Sequence, residues 1–178
     1  MNLLPELTDS GLFQDALGIM QDLNARFNKS WGSVTAKSTD VPGLSKSLIP
    51  HFANAGIQAV HMGYNGNVRS PDLPSIFLWQ HEQTNTSVIA MIEDSYGNFV
   101  YTPELPEALA FLYTMDNGSP PDPDTVITFW ADLQTQFPNA QIKLSSLDEF
   151  ALRLATVKSK LPVYTGEIGD SWYVVLKQ

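Results

Sequence analysis

Residues 33–62 constrain this chain more than any other stretch. Residues 33–39 read as a strand, with Val34 and Ala36 on one face. The turn Asp40-Val41-Pro42-Gly43 follows, and residues 45–55 have helical spacing. Gly56 supplies a helix stop, and the run from Ile57 to Met62 reads as a buried strand. Two strands joined by a helix of this length predict a parallel pair with a right-handed crossover. A chain built on such a unit is expected to be α/β with a mainly parallel sheet.

The rest of the sequence repeats that alternation. A helix is predicted over 10–29, capped by Ser10, with Leu12, Phe13, Leu17, Met20, Leu23 and Phe27 at helical spacing. Short strands at 76–79 and 88–93 flank the polar link 81–86, which predicts a hairpin. Residues 96–103 read as a loop. A helix is predicted over 104–114 from Leu105, Leu109 and Leu112. The proline-rich stretch 116–123 is a rigid turn before a helix capped by Asp124 and running to Gln136. A strand over 140–144 follows. The next helix has Ser146 as cap and Glu149 in the capping-box position. The apolar run at 161–163 reads as a strand, broken by Gly166 and Gly169, before a last strand over 172–176. No boundary interrupts this pattern, so 1–178 is expected to form a single α/β domain.

Composition narrows the class of protein. Hydrophobic residues make up 43% of 178, enough for a packed core. Net charge is -9, which argues against nucleic acid or an anionic membrane as partner. The chain has no cysteine, hence no disulfide, thiolate nucleophile or cysteine-held metal. The start of the sequence lacks the pattern of a signal peptide, and no run is long and apolar enough to be a membrane helix, so a cytoplasmic protein is expected.

In a parallel α/β sheet, polar residues that follow the strands gather on one rim. The candidates here are Asp40, His61 with Tyr64 and Asn65, Gln80 with His81, Glu93 with Asp94, and Glu167 with Asp170. Neighbouring carboxylates and a histidine on a rim can divide acid–base roles. The aromatics Tyr64, Trp79, Tyr96 and Trp172 would wall such a pocket. Each residue also has a plainer role. His61 fits a satisfied core histidine, Asp40 a helix cap, and the tryptophans a core. His51, His61 and His81 lack metal-site spacing, and no nucleophile elbow, P-loop or dinucleotide fingerprint is present.

Three pieces carry a resemblance. They are Asp40-Val41-Pro42-Gly43 with Ala55-Gly56-Ile57; Ser75-Ile76-Phe77-Leu78-Trp79; and Phe137-Pro138-Asn139-Ala140 with Ser146-Leu147-Asp148-Glu149-Phe150 and 161–172. Together they resemble a fungal and bacterial family related to the glycoside hydrolase family 38 α-mannosidases, over about Trp31 to Trp172. The resemblance implies a partial, cut-down version of that family's seven-stranded β/α barrel. It also implies a zinc site built from a His-x-Asp, a nucleophilic aspartate and a distal histidine. None of these ligands has a counterpart here, and the position after the Asp-x-x-Gly turn is Leu44 rather than histidine.

The expectation is therefore an enzyme without metal or cofactor, of isomerase or cyclase type, including a pericyclic reaction of secondary metabolism. Glu167, Asp170, His61 and Asp40 would carry the catalysis. Tyr64, Trp79, Glu93, Tyr96 and Trp172 would bind an apolar small molecule. The alternatives are a fragment or half-barrel of a metal-dependent glycoside hydrolase, and a non-catalytic binding module. A sheet edge left open would favour a homodimer.

Overall fold

The structure is a computed structural model that describes residues 9–28, 33–41, 43–114 and 118–169. Its centre is a five-stranded sheet in the order β1-β3-β5-β4-β8. These strands are β1 (Thr35–Thr39), β3 (Ala59–Gly63), β5 (Thr86–Glu93), β4 (Ile76–His81) and β8 (Val163–Tyr164). β1, β3 and β5 pair in parallel, and β4 runs antiparallel to β5. β8 pairs with β4 in parallel. The protein is thus α/β with a mostly parallel sheet, and among the described residues that sheet is open, with β1 and β8 at its edges.

The two faces follow from the alternation of side chains along each strand. Val60, Met62, Ala90, Ile92, Phe77 and Trp79 face one way. They pack on Phe13 of α1 (Ser10–Arg26) and on Ile49 and Phe52 of α2 (Ile49–Asn54). Ala59, Ile89 and Met91 face the other way, against Phe150, Ala151 and Leu154 of α4 (Leu147–Ala155). The hairpin of β6 (Phe99–Tyr101) and β7 (Ala108–Ala110) completes that layer through Val100 and Leu109. α3 (Pro123–Gln136) buries only Leu133. One such side chain contributes about 1.5–3 kcal/mol, so α3 is weakly anchored compared with α2 or α4.

Several local expectations need correction. The N-caps of α1 and α3 are Asp9 and Asp122, which accept from Leu12 N and Thr125 N, not Ser10 and Asp124. Each lies one or two residues earlier because a short carboxylate reaches the amide three residues on. The helix predicted over 104–114 is absent. Pro106 removes an amide and disfavours a helical Leu105, and Ala108–Ala110 pair with β6 instead. The expected strand at 140–144 is unpaired coil, with Leu144 82% exposed. Ser146 does cap α4, through Glu149 N. The predicted last strand at 172–176 lies outside the described residues.

A two-stranded clip closes the first layer. β2 (Gly43–Leu44) pairs antiparallel with β9 (Ile168–Gly169). Gly43 has φ +112°, and a Cβ there would stand 2.0 Å from the Ile168 carbonyl oxygen. Gly56 also has positive φ, +80°, but open space around it. Gly43→Ala should therefore cost more than Gly56→Ala in urea denaturation. Gly56→Ala should lose about 1–2 kcal/mol from backbone strain alone, and Gly43→Ala should lose that plus the β2–β9 pairing. Equal losses would show that the clip adds nothing.

Candidate functional site

The carboxyl ends of β1, β3 and β5 lie side by side, because these three strands are parallel and in register. Lys37 pairs with His61, and Thr39, Gly63 and Glu93 form the next row but one. Lys37, His61 and Glu93 consequently project from the same face of three adjacent strands. Lys37 Nζ lies 3.1 Å from His61 Nδ1, and His61 Nε2 lies 2.6 Å from Glu93 Oε1. His61 is fully buried and Glu93 is 5% exposed. Lys37, on the edge strand, is exposed as a residue but brings its ammonium against the buried ring.

The hydrogen bonds fix the state of the imidazole. An ammonium has only donors, so Nδ1 accepts from Lys37. The ring proton then sits on Nε2 and donates to the Glu93 carboxylate. Burial is the main cause that pushes the His61 pKa down; the bond to Glu93 opposes it and the Lys37 charge adds to it. Desolvation also lowers the Lys37 pKa, against the attraction of Glu93. Phe111, which follows β7, covers the pair. Its ring centre is 4.9 Å from that of His61 and 5.5 Å from Lys37 Nζ. The sequence placed this phenylalanine in a helix and so gave no sign of the contact.

Glu93 Oε1 is satisfied by His61, but Oε2 is buried with no hydrogen-bond partner among the described residues. A buried carboxylate oxygen left in that state is costly. Glu93 also forms part of the wall of a recess of about 560 Å³, with Arg69, Ser70, Asp72, Ser75, Asp94 and Asn98. The Ser70 hydroxyl donates to Asp94 Oδ1 in a short hydrogen bond. A volume of this order suits a small organic ligand.

Across the strand ends, Asp40 belongs to a separate clasp. Asp40 has a left-handed backbone, φ +57°. The Tyr96 hydroxyl, and after it the Asn65 amide 3.0 Å away, hold its carboxyl below the usual range. Gly63 makes this possible. A Cβ there would lie 2.8 Å from the Ser95 carbonyl oxygen and 3.0 Å from Tyr96 Cα. The missing side chain lets Ser95 and Tyr96 cross the end of β3 and deliver Tyr96 to Asp40. Tyr113 packs edge-on against Tyr96, with ring centres 5.6 Å apart.

The other expected site residues do not join this group. β4 runs opposite to β5, so Trp79 and Tyr164 pair near the amino end of β5. Trp79 is fully buried and donates Nε1–H to the Gly166 carbonyl at 2.9 Å, a core role rather than a pocket wall. His81 bonds Thr84 in the β4–β5 turn, at that same far end. Glu167 accepts from Lys46 N at 2.7 Å and so holds the turn before α2. Tyr64 is 1% exposed and reaches the Gly169 carbonyl at 3.4 Å, on the opposite face from His61. Asp170 and Trp172 lie outside the described residues.

The zinc site implied by the resemblance does not fit what is in place. Among the described residues, no group of three or more His, Asp or Glu side chains is arranged to hold a metal ion. Among the same residues, no helix is long and apolar enough to cross a membrane.

The neutral ring sets a pH dependence. Its folded pKa is depressed, so the unfolded chain protonates first as pH falls. The stability it contributes is complete above the ordinary value of 6.5 and is lost as pH drops from there toward the folded value. Denaturation between pH 7.5 and 5 should show stability falling, with a slope of at most about 1.4 kcal/mol per pH unit for one proton. His61→Gln should flatten that slope while lowering stability by on the order of 3 kcal/mol at pH 7.5. An unchanged slope would mean that the ring has the same pKa folded and unfolded, and a steeper one that folding keeps it charged.

No protein-family model matches this chain, and no curated protein matches it significantly.

Proposed function

We propose that this protein is a cofactor-independent acid–base enzyme of isomerase type, with Glu93 as the base. The observation that carries the reading is the buried Lys37–His61–Glu93 chain, which leaves Glu93 Oε2 without a partner among the described residues, in a residue that also lines a polar recess. A general base needs an unshared oxygen within reach of substrate and fixed geometry behind it. Oε2 is unshared among the described residues and His61 fixes the carboxylate behind it; the reading requires Glu93 to turn Oε2 toward the recess when substrate enters. In the reaction a substrate C–H proton moves to Glu93 Oε2 and returns to another position or face of the same molecule. Atoms and charge balance without a co-reactant. His61 holds the carboxylate in one orientation, and Lys37 holds the ring in the tautomer that donates to it. Asp40, with Asn65 and Tyr96, keeps the adjoining loop in place instead of acting as base, because its lowered pKa makes it a weak proton acceptor. The recess is polar, so a polar substrate suits it better than an apolar one.

The reaction class is testable without knowing the substrate. Pools of small hydroxylated carbonyl and amino compounds would be incubated with the protein in deuterated water, and carbon-bound deuterium followed by NMR. Exchange above background is expected in at least one pool, reduced about 100-fold or more in Glu93→Gln. Lys37→Met should shift the pH profile of exchange and reduce its rate less. Background exchange in every pool, or full activity in Glu93→Gln, would sink the assignment.

A second reading rests on the resemblance to the family related to glycoside hydrolase family 38. In it, the parallel trio β1, β3 and β5 is part of a cut-down seven-stranded barrel, and the chain is a portion of a metal-dependent hydrolase. The parallel trio with acids after two of its strands, Asp40 and Glu93–Asp94, favours it. Stoichiometric zinc in the purified protein together with cleavage of an aryl mannoside would support it, and the absence of both would remove it.

A further inference from the structure

We propose that Lys37 is a reactive amine that condenses reversibly with an aldehyde or ketone, with His61 as its proton acceptor and Glu93 as the group that orients His61. This activity goes beyond the acid–base reading above and needs no proton transfer to Glu93. The three side chains stand in the order that nucleophilic catalysis requires: a nucleophile against a base, and the base against an orienting acid. Lys37 Nζ is 3.1 Å from His61 Nδ1, and His61 Nε2 is 2.6 Å from Glu93 Oε1. With the ring proton on Nε2, the lone pair of Nδ1 is aimed at the amine. The chain is open at one end only. Lys37 is an exposed residue of the edge strand and its contact with His61 is partly buried, whereas His61 and Glu93 are almost wholly buried. A dissolved carbonyl compound therefore meets the amine first.

The chemistry of an amine selects a carbonyl compound over an ester. Attack on an ester ends in an amide, which blocks the lysine, whereas an imine hydrolyses and frees it. In the reaction the Lys37 ammonium gives one proton to Nδ1. The resulting amine attacks the carbonyl carbon, and a C–N bond forms as the C=O bond opens. The oxygen collects that proton and a second one from the nitrogen, both by way of Nδ1, and leaves as water. Ammonium and carbonyl compound thus become iminium and water, with atoms and charge balanced. Desolvation lowers the Lys37 pKa against the attraction of Glu93, which favours the first transfer. Burial keeps His61 neutral and able to accept, and Glu93 on the other nitrogen stabilises the imidazolium that forms in passing. The iminium keeps one positive charge and one N–H, so the bond to Nδ1 and the attraction to Glu93 survive. The ring of Phe111, centred 5.5 Å from Nζ, also suits a cation there.

The test is reductive trapping. The 178-residue chain is incubated with propanal and sodium cyanoborohydride, and alkylation of each of its seven lysines is followed by peptide mass spectrometry. Lys37 is expected to react about tenfold or more faster than the mean of the other six, and unfolding in urea should abolish that preference. His61→Gln, with folding checked by circular dichroism, should slow Lys37 by about fivefold or more and leave the other lysines unchanged. Should that variant fail to fold, the comparison among the lysines of the native protein decides alone. Lys37 reacting no faster than its six internal controls, a preference that survives in urea, or an unchanged Lys37 rate in folded His61→Gln would overturn the proposal. The deuterium-exchange assay keeps the two readings apart. A Lys37 adduct without exchange leaves the reactive amine standing and removes the isomerase, whereas exchange without a Lys37 preference does the reverse.

Discussion

The hydrogen bond from His61 Nε2 to Glu93 Oε1 is the interaction around which this end of the molecule is arranged. At 2.6 Å, between groups that are almost wholly buried, it would be unfavourable as an isolated ion pair. It is tolerable because the ring stays neutral and its second nitrogen is also occupied. Lys37 supplies that second contact from the edge strand. Phe111 then seals the pair from above. Removing Lys37, His61 or Glu93 leaves a partner's polar atom unpaired, and removing Phe111 uncovers the ring, so the residues act as a unit.

Strand register is what makes the unit possible. Lys37 and His61 occupy the same row of the β1–β3 pair, and Glu93 lies two rows beyond on β5, on the same face. Shifting either pairing by one residue would turn the polar side chains into the opposite, wholly apolar core. The glycine at the end of β3 contributes at the same place. With no Cβ at Gly63, Ser95 and Tyr96 can cross the strand end and tie down Asp40.

Much of the scaffold was legible in the sequence. Residues 33–62 announced their βαβ unit through apolar runs, a helix and the Gly56 stop, and the structure has that unit. The hairpin of β4 and β5 was legible from its polar link, and the start of α4 from Ser146 and Glu149. These features are local: periodicity, caps and glycines act over a few residues. His61 and Glu93 were also legible as candidates, because a histidine and an acid in apolar strands are conspicuous. Their partnership was not, and neither was Lys37, which looks like any surface lysine. Phe111 was hidden by a helical pattern that Pro106 and pairing with β6 override.

The sequence by itself determined the βαβ unit of residues 33–62, the β4–β5 hairpin and the start of α4, which residues are apolar enough to form a core, and that no cysteine chemistry is available, but not the states of 104–114 and 140–144. Only the tertiary structure decided which strand ends share a rim. Strand direction is set by pairing between segments far apart in the chain, and nothing within residues 76–81 records that β4 lies antiparallel to β5. That one reversal carries Trp79 and His81 to the far end of the sheet, while β8, parallel to β4, leads Glu167 to the turn before α2. It leaves Lys37, His61 and Glu93 together at the other end, where burial and mutual hydrogen bonds give ordinary side chains a defined chemical state.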